Sequence, residues 1–477
     1  MNSVFMTPDL SHYQCVFSQR FGTPEMRSLW SEENKRLLWR TIWGELSSAQ
    51  AALGVITQEQ ADDISRHQYQ LNMQRSLEIE QDTQHDLLSE ARCFAEMCPV
   101  GGGVIHLGAT SADIEDNADA LRLKVSLEVL DKKMKALLLV FMKKIEATKA
   151  IETMGFTHLQ AAEPITVGYR LAQYLYDLHD DYLQLLRTLK GIKGKGMKGA
   201  VGSSASYVEL FVARGASFEQ AVSQHASMEA QVMRALGVES QLVSTQTYTR
   251  KQDVRVANSL ASIAASIHKS CQDIRLLQSS PISEWYEPRG ALQVGSSTMP
   301  FKRNPTLSEK VNGVCRIVMS LQSVFLTNAA HTMLERTLDD SAGRGFGLPT
   351  MFIAIDEAIT TFTSIIEGLQ VNTSVIKENN GKYHAITITE KILMLCVAKG
   401  AHRQHMHEHL RTLCATLSDR QVAGKSTIVS DVIATDPLIS GYLSSDELAT
   451  VFEASSYTGN CEKSCTDLLQ LVAQSIA

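Results

Sequence analysis

The feature that most constrains this chain is the scarcity of helix breakers over long stretches. Only ten prolines occur in 477 residues, and none lies between Pro164 and Pro281 or between Pro349 and Pro437. Residues 112–151 contain neither proline nor glycine. Because proline inside a helix removes a backbone hydrogen bond and clashes with the preceding turn, its absence leaves these stretches able to form long helices.

Apolar residues in the stretch 112–151 recur at the three- and four-residue spacing of one helix face, which predicts a single long helix there. The series is Leu121, Val125, Leu127, Leu130, Met134, Leu137, Val140 and Met142. Similar patterns predict long helices over residues 165–189, 251–279, 306–336 and 349–369. A helix of about 30 residues is about 45 Å long, and its apolar sides must be covered by other helices. A bundle shared between subunits is therefore favoured.

We expect an all-α fold with three domains: a helical N-terminal domain (1–111), a central bundle of long helices (112–370) and a helical C-terminal domain (371–477). The chain is 44% apolar, so it can bury a large core. Between the predicted helices, glycine and small polar residues cluster over 101–117, 155–160, 191–206, 290–305 and 339–347. These clusters predict loops, where most functional sites lie.

Composition excludes several classes of function. The net charge of −7, without a long basic block, lacks the electrostatic footprint of nucleic-acid binding. The longest apolar run, 136–142, is far shorter than the roughly 20 residues of a membrane helix, and residues 1–20 do not form a secretory signal. We expect a soluble, cytoplasmic protein that binds neither nucleic acid nor membrane.

The sequence contains two groups of potential metal ligands, and in each a role without metal is favoured. The nine cysteines are irregularly spaced, without a CxxC pair, and are expected to be reduced thiols. His402, His405, His407 and His409 crowd one segment, but no acidic framework surrounds them, so an exposed polar helix is favoured over a metal site. We expect no metal.

The segment 295–305, GSSTMPFKRNP, precedes the predicted helix that contains Glu309. Backbone N–H groups near a helix start and the ammonium of Lys302 would favour a carboxylate, and the flanking glycine and prolines are typical of a closing lid. For any single residue, an ordinary polar loop is the alternative. The whole string resembles the signature loop of the fumarase/aspartase superfamily, GSSxMPxKxNPxxxE, at every fixed position of that motif.

The resemblance extends along nearly the whole chain and is weakest after about Val371. LGATS at 107–111, followed by Asp116 and Asn117, resembles the first conserved region of the superfamily. GFTHLQ at 155–160 and the segment 199–206 resemble the second. QTYTRK at 246–251 and ERTLDDS at 335–341 are similar to the adenylosuccinate lyases of the animal-like branch.

This resemblance implies an anti β-elimination that releases fumarate from a succinyl group on nitrogen. By position, Ser296 is the base that removes the carbon proton, with Ser297 as an open alternative. Lys302 and Asn304 hold the carboxylate, because the developing aci-carboxylate needs fixed positive charge. His158 protonates the leaving nitrogen. Glu309 orients that histidine across a subunit boundary. The alternative is that Glu309 is an exposed acid in the first turn of its helix with no role in the site.

The resemblance also implies two nucleotide substrates, adenylosuccinate and the succinylated imidazole-carboxamide nucleotide, and no cofactor. It implies a homotetramer whose active sites each draw on three subunits. Arginine suits such substrates because its planar fork donates two hydrogen bonds to an oxyanion. The substrate-binding positions carried over are Arg20, Phe21, His85, Asp86, Thr110, Ser111, Thr157, Gln246, Asn304, Lys310, Arg336, Ser341 and Arg344.

Three positions depart from the pattern of the family. Gln84, Lys310 and Gly345 stand where arginines are expected, and Arg344 is the candidate to substitute for the arginine missing at Gly345. Two rival functions stay open: another lyase of the superfamily, such as an argininosuccinate lyase or a fumarase, and a retired scaffold. QTYTRK and ERTLDDS disfavour the first, and the intact catalytic set disfavours the second.

Overall fold

The computed structural model describes residue 13 and residues 15–290, 298–422, 429–453 and 457–476. The chain divides into two compact units. Unit 1 comprises Met1–Met134, Asp180–His268 and Val311–Thr360, and unit 2 comprises Lys135–His179, Lys269–Lys310 and Thr361–Ala477. The three-domain division stays a prediction.

The described residues are mostly helical, which confirms the all-α prediction. The helices before the first strand are α1 (Val16–Gln19), α2 (Pro24–Leu29), α3 (Glu32–Ala52), α4 (Gln58–His67), α5 (Met73–Thr83), α6 (Asp86–Met97) and α7 (Ser111–Thr148), with a 3-10 turn at Gly102–Val104. Strands β1 (Glu152–Thr157) and β2 (Gln160–Thr166) follow.

The remaining elements continue in chain order. They are α8 (Val167–Lys190), α9 (Ala205–Val212), α10 (Phe218–Ala235), α11 (Lys251–Leu277), β3 (Trp285–Tyr286), α12 (Thr306–His331), α13 (Asp340–Gly368), β4 (Gln370–Val371), α14 (Thr373–Thr387), α15 (Thr389–Ala398), α16 (Arg403–Val422), α17 (Val429–Ala434), α18 (Pro437–Ser440), α19 (Ser445–Glu453) and α20 (Cys461–Ile476). No helix among the described residues has the length and apolar character needed to span a membrane.

The long helix predicted over 112–151 is confirmed as α7, and α8, α11 and α12 agree closely with three further predictions. Leu127, Leu130, Met134 and Leu137 are fully buried, as one helix face requires. The assignment of Val125 to that face is wrong, because its side chain is 38% exposed. Other large side chains of the helix are fully buried too, so α7 packs on more than one side; they include Leu123, Leu138, Phe141 and Ile145.

Helix α13 begins nine residues before the predicted start, so the loop predicted over 339–347 is wrong. Pro349 lies inside the helix although an interior proline is unfavourable there. Packing explains the difference. A Cβ at Gly347 would lie 2.7 Å from the ring of the buried Phe325, and one at Gly343 would lie 2.9 Å from Val324. These glycines therefore let α13 approach α12 closely.

The loop predicted over 155–160 is also wrong, because it belongs to a β-hairpin. Strands β1 and β2 pair antiparallel from Glu152 opposite Thr166 to Thr157 opposite Gln160. The register shifts between Met154 and Phe156, as in a β-bulge. Glycine at 155 fits this close approach, since a Cβ there would lie 2.6 Å from the backbone oxygen of Glu163.

Each unit has its own apolar core. In unit 1, α3 packs on α4 and α10 around Trp43, Leu46, Ile64 and Met228, all nearly inaccessible to solvent. Burial of such side chains contributes about 1.5–3 kcal/mol each. In unit 2, the helices after α14 enclose a second core, whose central members are Ile392, Cys396, Met406, Ile433, Ile439 and Leu443.

Candidate active site

His158 stands at the tip of the β1–β2 hairpin, in a turn of two residues. Both His158 and Leu159 have positive φ, +52° and +61°, the sign pattern of a type I′ turn. Glycine or asparagine normally occupies such positions, because a Cβ in the left-handed region costs about 1–2 kcal/mol. His158 is exposed, and Leu159 is 70% exposed despite being apolar. The fold thus tolerates strain at the point where it displays the histidine.

Thr157 ends β1 and contributes to a cavity of about 690 Å³ beside the hairpin. Arg170, Tyr174, Lys269 and Asp273 form its polar wall. Tyr174 donates to Asp273 at 2.8 Å, and Lys269 pairs with the same carboxylate. A cavity of this size suits a small-molecule ligand.

Two carboxyl groups, Glu163 and Glu390, line the same cavity. A hydrogen bond between Glu163 and Glu390, which favours the protonated form of Glu163, raises the pKa of Glu163 to about 7 with the aid of burial. Two ionised carboxylates in contact repel each other, so this interaction favours the protonated form of Glu163. Glu163 lies on β2, so a group that can hold a proton near neutral pH belongs to the same hairpin as His158.

Lys302 and Asn304 lie on the segment leading into α12, and Glu309 and Lys310 lie in the first turns of that helix, in the same unit as the hairpin. The proposed base, Ser296, and its neighbour Ser297 lie outside the described residues. Lys302 is exposed, and its backbone N–H donates to the carbonyl of Met299 at 3.1 Å. Asn304 accepts at its carbonyl from Thr306 N–H at 2.9 Å.

The start of α12 is capped by a carboxylate of the chain itself. Glu287, which is 7% exposed, accepts from the N–H groups of Leu307 and Ser308 and from the Ser308 hydroxyl, each at 2.9 Å. The sequence predicted that the amides at this helix start would favour a substrate anion. These two amides already hold an anion, so a substrate anion at this segment would meet exposed cationic side chains, Lys302 and Arg303, rather than the helix end.

Glu309 projects from the first turn of α12 with its side chain half exposed, and Arg275 of α11 lies 3.7 Å from its carboxylate. Within the described chain, no hydrogen bond or ion pair joins His158 to Lys302 or Glu309. The sequence placed the His158–Glu309 contact between subunits, so that contact stays a prediction.

The first predicted region, in unit 1, is built around Asp113. The N–H of Thr110 donates to this buried carboxylate at 3.0 Å, just before α7 begins at Ser111. Asp113 also accepts from the backbone of Lys198 and Gly199, from the phenol of Tyr207 and from the ammonium of the fully buried Lys195. One ion pair therefore joins the two glycine-rich regions.

His85 and Asp86 lie at the start of α6. His85 is the N-cap residue, and its Nδ1 accepts weakly from Leu88 N–H at 3.5 Å. His85 and Ser111 line one cavity of about 390 Å³. The structure thus brings together two residues that lie on different predicted motifs.

Arg20 and Phe21 follow α1, with the Arg20 side chain exposed. The backbone beside them is tightly held. Gly22 N–H donates to Glu357 at 2.8 Å, and a Cβ on Gly22 would lie 2.7 Å from Ile353. With φ at +70°, this position requires glycine, and it anchors the Arg20–Phe21 segment onto α13.

Gln246, Arg336, Ser341 and Arg344 belong to two neighbouring segments of unit 1. The N–H of Gln246 donates to the carbonyl of Glu335 at 3.2 Å, which joins QTYTRK to ERTLDDS. Arg336 is one-quarter exposed and lies 3.6 Å from Asp340. Ser341 is exposed, whereas the Arg344 side chain is only 10% exposed.

Two of the three departures from the family pattern have a defined local environment. Gln84 ends α5 in the left-handed conformation, φ +52°, and its side chain donates to the carbonyl of Gln81. Gly345 lies within α13, and a Cβ there would meet nothing within 4 Å. A larger side chain therefore fits at 345.

One grouping among the described residues has the geometry of metal ligands: Asp63, His67 and Cys98, whose ligand atoms lie within 4.8 Å. Structural roles account for these residues better. Asp63 accepts from the N–H groups of Val100 and Gly101 at 2.9 Å, and burial raises the pKa of Cys98 to about 11. A thiol held in its neutral form is a poor ligand.

In the predicted histidine segment, two of the four residues stack on each other. The rings of His402 and His405 are 4.3 Å apart, and His409 bonds Asp436 at 2.8 Å. Asp436 also caps α18. The contact between His409 and Asp436 joins α16 to the start of α18.

Sequence reasoning missed Asp113, Lys195 and Glu287, which organise the site without being predicted to touch substrate. Each is a common charged residue whose partners lie far along the chain, 82 residues apart for Asp113 and Lys195. Leu159 was missed as well. The sequence did contain a signal for Leu159, because an apolar residue beside the histidine in GFTHLQ is unusual in an exposed turn.

Comparison with known proteins gives a consistent result. A family model described as "Lyase" matches residues 18–320, and one described as "Adenylosuccinate lyase C-terminus" matches residues 386–468. The chain is 35% identical to an adenylosuccinate lyase of Schistosoma mansoni, over 84% of this chain and 83% of that protein. It is 31% identical to one of Saccharomyces cerevisiae, over 97% and 95%.

Solved structures support the fold. A 3-carboxy-cis,cis-muconate lactonizing enzyme from Pseudomonas putida superimposes with a TM-score of 0.83 at 21% identity, covering 97% of this chain and 100% of that chain. A fumarate lyase from Mesorhizobium sp. BNC1 superimposes with a TM-score of 0.82 at 20% identity, over 96% and 99%.

Proposed function

The chain belongs to the adenylosuccinate lyase family of the fumarase/aspartase superfamily and is a carbon–nitrogen lyase, and we propose that it cleaves adenylosuccinate to AMP and fumarate. We extend the proposal to the succinylated imidazole-carboxamide nucleotide, which carries the same succinyl group on nitrogen. The observation that carries the proposal is the strained turn that displays His158.

The proposed reaction breaks one C–H and one C–N bond. Ser296 takes the proton from the carbon next to the carboxylate, the electron pair forms the double bond of fumarate, and the nitrogen leaves with a proton from His158. Lys302 and Asn304 stabilise the negative charge that develops on the carboxylate. Both proton transfers use side chains, so the proposal needs no cofactor.

His158 suits the role of acid because a protonated imidazole can donate its proton to a leaving nitrogen and the hairpin exposes the side chain. A neighbouring carboxylate would stabilise the charged form, and we propose Glu309 of another subunit for this role. Lys302 suits carboxylate binding because Glu287 already satisfies the first amides of α12. The substrate anion then meets an ammonium rather than a helix end.

We propose that the unit 1 residues bind the nucleotide. Among them, Arg20 is exposed and Arg336 is partly exposed. Both guanidinium groups can therefore reach a phosphate. His85 and Ser111 share a cavity, and Gln246 is linked to the Arg336 segment. Asp86, Thr110, Ser341 and Phe21 complete the set in unit 1. In unit 2, Thr157 and Lys310 are proposed as separate substrate-binding residues.

We also propose a cytoplasmic homotetramer with active sites shared between subunits. The apolar side chains of Leu242, Val243, Leu334 and Leu338 in unit 1 are 71–93% exposed. Clusters of exposed apolar residues mark protein–protein interfaces. Light scattering of the purified protein tests this proposal: a mass four times 52.6 kDa supports it, and a monomer would contradict it.

The activity is tested by following the ultraviolet absorbance of adenylosuccinate with the purified protein and measuring fumarate. We expect stoichiometric AMP and fumarate. Argininosuccinate and malate serve as substrates for the rival lyases, and turnover of either alone would overturn the proposal. A folded protein that turns over none of these would be a retired scaffold.

The role of His158 is tested with His158→Gln. Loss of a general acid lowers kcat by about 10²–10⁴-fold. Because His158 is exposed, the melting temperature should not change. Gln160→Ala, on the other side of the same turn, is the matched control and should keep its activity.

A further inference from the structure

A cluster of buried charges in unit 1 links the two segments that distinguish adenylosuccinate lyases. We call it the arginine–aspartate cluster. Its members come from α7, from the loop before α11, and from α11 and α13. They are Asp116, Asp119, Tyr248, Arg250, Asp253, Asp340 and Arg344.

Arg344 contacts four other members of this cluster. Its Nε donates to Asp253 at 2.7 Å, and one terminal nitrogen donates to Asp119 at 2.9 Å and to the Tyr248 phenol at 2.7 Å. The other terminal nitrogen lies 3.7 Å from Asp116. Burial alone would lower the pKa of Arg344, but Tyr248 and the three aspartates raise it well above its usual value.

These contacts leave little of Arg344 for a ligand. Its side chain is 10% exposed, and each of its three nitrogens faces an oxygen of the chain. A guanidinium that binds phosphate presents two parallel N–H groups to it. Arg344 would have to abandon three buried carboxylates to do so, which is costly.

The cluster instead holds the backbone on which substrate-binding residues are predicted. Tyr248 N–H donates to Asp116 at 2.7 Å, and the Tyr248 phenol donates to Asp253 at 2.6 Å. Gln246 lies two residues before Tyr248. The Tyr248 side chain, fully buried and fixed at both ends, therefore sets the position of Gln246.

The second segment is tied to the same cluster through Arg250. This arginine binds Asp116 with two contacts of 3.1 Å and donates from Nε to Asp340 at 2.5 Å. Asp340 in turn faces Arg336 at 3.6 Å. The connecting loop includes Leu334 with φ +48°, a strained backbone that needs such support.

We infer that Arg344 is a positioning residue rather than a ligand of the substrate. It acts through Tyr248 and Asp253 to hold Gln246 in place. Through Asp116, which it shares with Arg250, it also supports the segment that carries Arg336. The inference rests on the proposed function for the role of Gln246 and Arg336. It replaces the expectation that Arg344 substitutes for the arginine missing at Gly345.

The test is a double-mutant cycle between Arg344→Lys and Gln246→Ala. Lysine keeps the charge but cannot bridge two aspartates and a phenol at once. We expect Arg344→Lys to lower kcat/KM about 10- to 100-fold, as misplaced binding groups do. The double variant should lose less than the two single variants together, because the part of the Arg344→Lys effect that comes from a misplaced Gln246 is absent once that side chain is removed.

Arg122→Lys is the matched control. Arg122 belongs to the same charged region, since it donates to Asp119 at 2.8 Å and stacks on Trp30, but it contacts neither segment. We expect it to lower the melting temperature without changing kcat/KM. Additive effects of Arg344→Lys and Gln246→Ala, with an unchanged melting temperature, would show a substrate contact and overturn the inference.

A measurement without substrate separates this inference from the proposed function. Hydrogen–deuterium exchange of the free protein reports residues 243–249 and 332–339 directly. Arg344→Lys should speed exchange in both segments, and Arg122→Lys should not. If the native protein fails to turn over adenylosuccinate, the proposed function falls while this result still decides the role of Arg344. Unchanged exchange in Arg344→Lys would overturn that role.

Discussion

The turn at His158 and the arginine–aspartate cluster both belong to motifs of the predicted active site, and they treat charge and strain in opposite ways. The turn exposes His158 and Leu159 on a backbone with two positive φ angles. The cluster buries its charges and pairs them within the chain. Groups proposed to touch substrate are displayed at some cost, whereas groups that support them are enclosed and satisfied.

The largest effect should come from the segment before α12. Ser296→Ala should lower kcat by about 10³–10⁴-fold, because it removes the proposed base. Ser297→Ala is the matched control and should keep near-native activity. Steady-state rates with adenylosuccinate decide between the two serines. Near-normal turnover by the Ser296 variant would refute its assignment as the base.

On the buried side, Asp113→Asn should lower the free energy of unfolding by about 3 kcal/mol, since it leaves the ammonium of Lys195 buried without its carboxylate. Urea unfolding followed by circular dichroism measures the change. Asp62→Asn, an exposed aspartate bonded to Gln58, should cost less than about 0.5 kcal/mol. Equal losses in the two variants would mean that Asp113 does not anchor unit 1.

Strain in the His158–Leu159 turn predicts a smaller effect on the free energy of unfolding, this time a gain. Leu159→Gly should raise the free energy of unfolding by about 1 kcal/mol, because glycine accepts the φ of +61° without a Cβ clash. Ala161→Gly, two residues along in β2, should instead be destabilising, since glycine weakens a strand. Thermal unfolding of both variants makes the comparison. Destabilisation by Leu159→Gly would show that the turn is not strained.

The smallest effect concerns Glu115, one helical turn beyond Ser111. Burial, together with Asp86, Asp116 and Asp119, raises its pKa to about 7 against the opposing effect of Arg336. The folded state therefore favours the protonated carboxyl, and its contribution to stability falls as pH rises from about 4.5 to about 7.

Glu115→Gln should accordingly match the native protein in melting temperature at pH 5 and exceed it at pH 8. Glu146→Gln, on the same helix but 59% exposed, should give the same difference at both pH values. A Glu115→Gln difference that does not change with pH would contradict the raised pKa.

The helices could be predicted from the sequence because their cause is local. Missing prolines and a 3.6-residue apolar period predict α7, α8, α11 and α12 within a few residues. The largest difference is at the end of α12, which was predicted at residue 336 and lies at His331. The start of α13 could not be predicted in this way. Its glycines resemble a loop, and only the contact of Gly347 with Phe325 explains why they are helical.

The motifs indicated which segments carry the site but not how each residue is used. GFTHLQ pointed to His158, and only the strand register shows that a two-residue turn displays it. The signature string pointed to the start of α12, and only the fold shows that Glu287 already occupies its first amides. The arginine missing at Gly345 led to Arg344, whose burial favours a supporting role over contact with substrate.

By itself, the sequence determined the helical class, the long helices and the family, because periodicity and motif strings are written in neighbouring residues. Only the tertiary structure decided which charges are paired and which are exposed. Asp113 and Lys195, or Asp116 and Arg250, lie 82 and 134 residues apart. The strength of such pairs depends on burial and distance, which no local pattern contains.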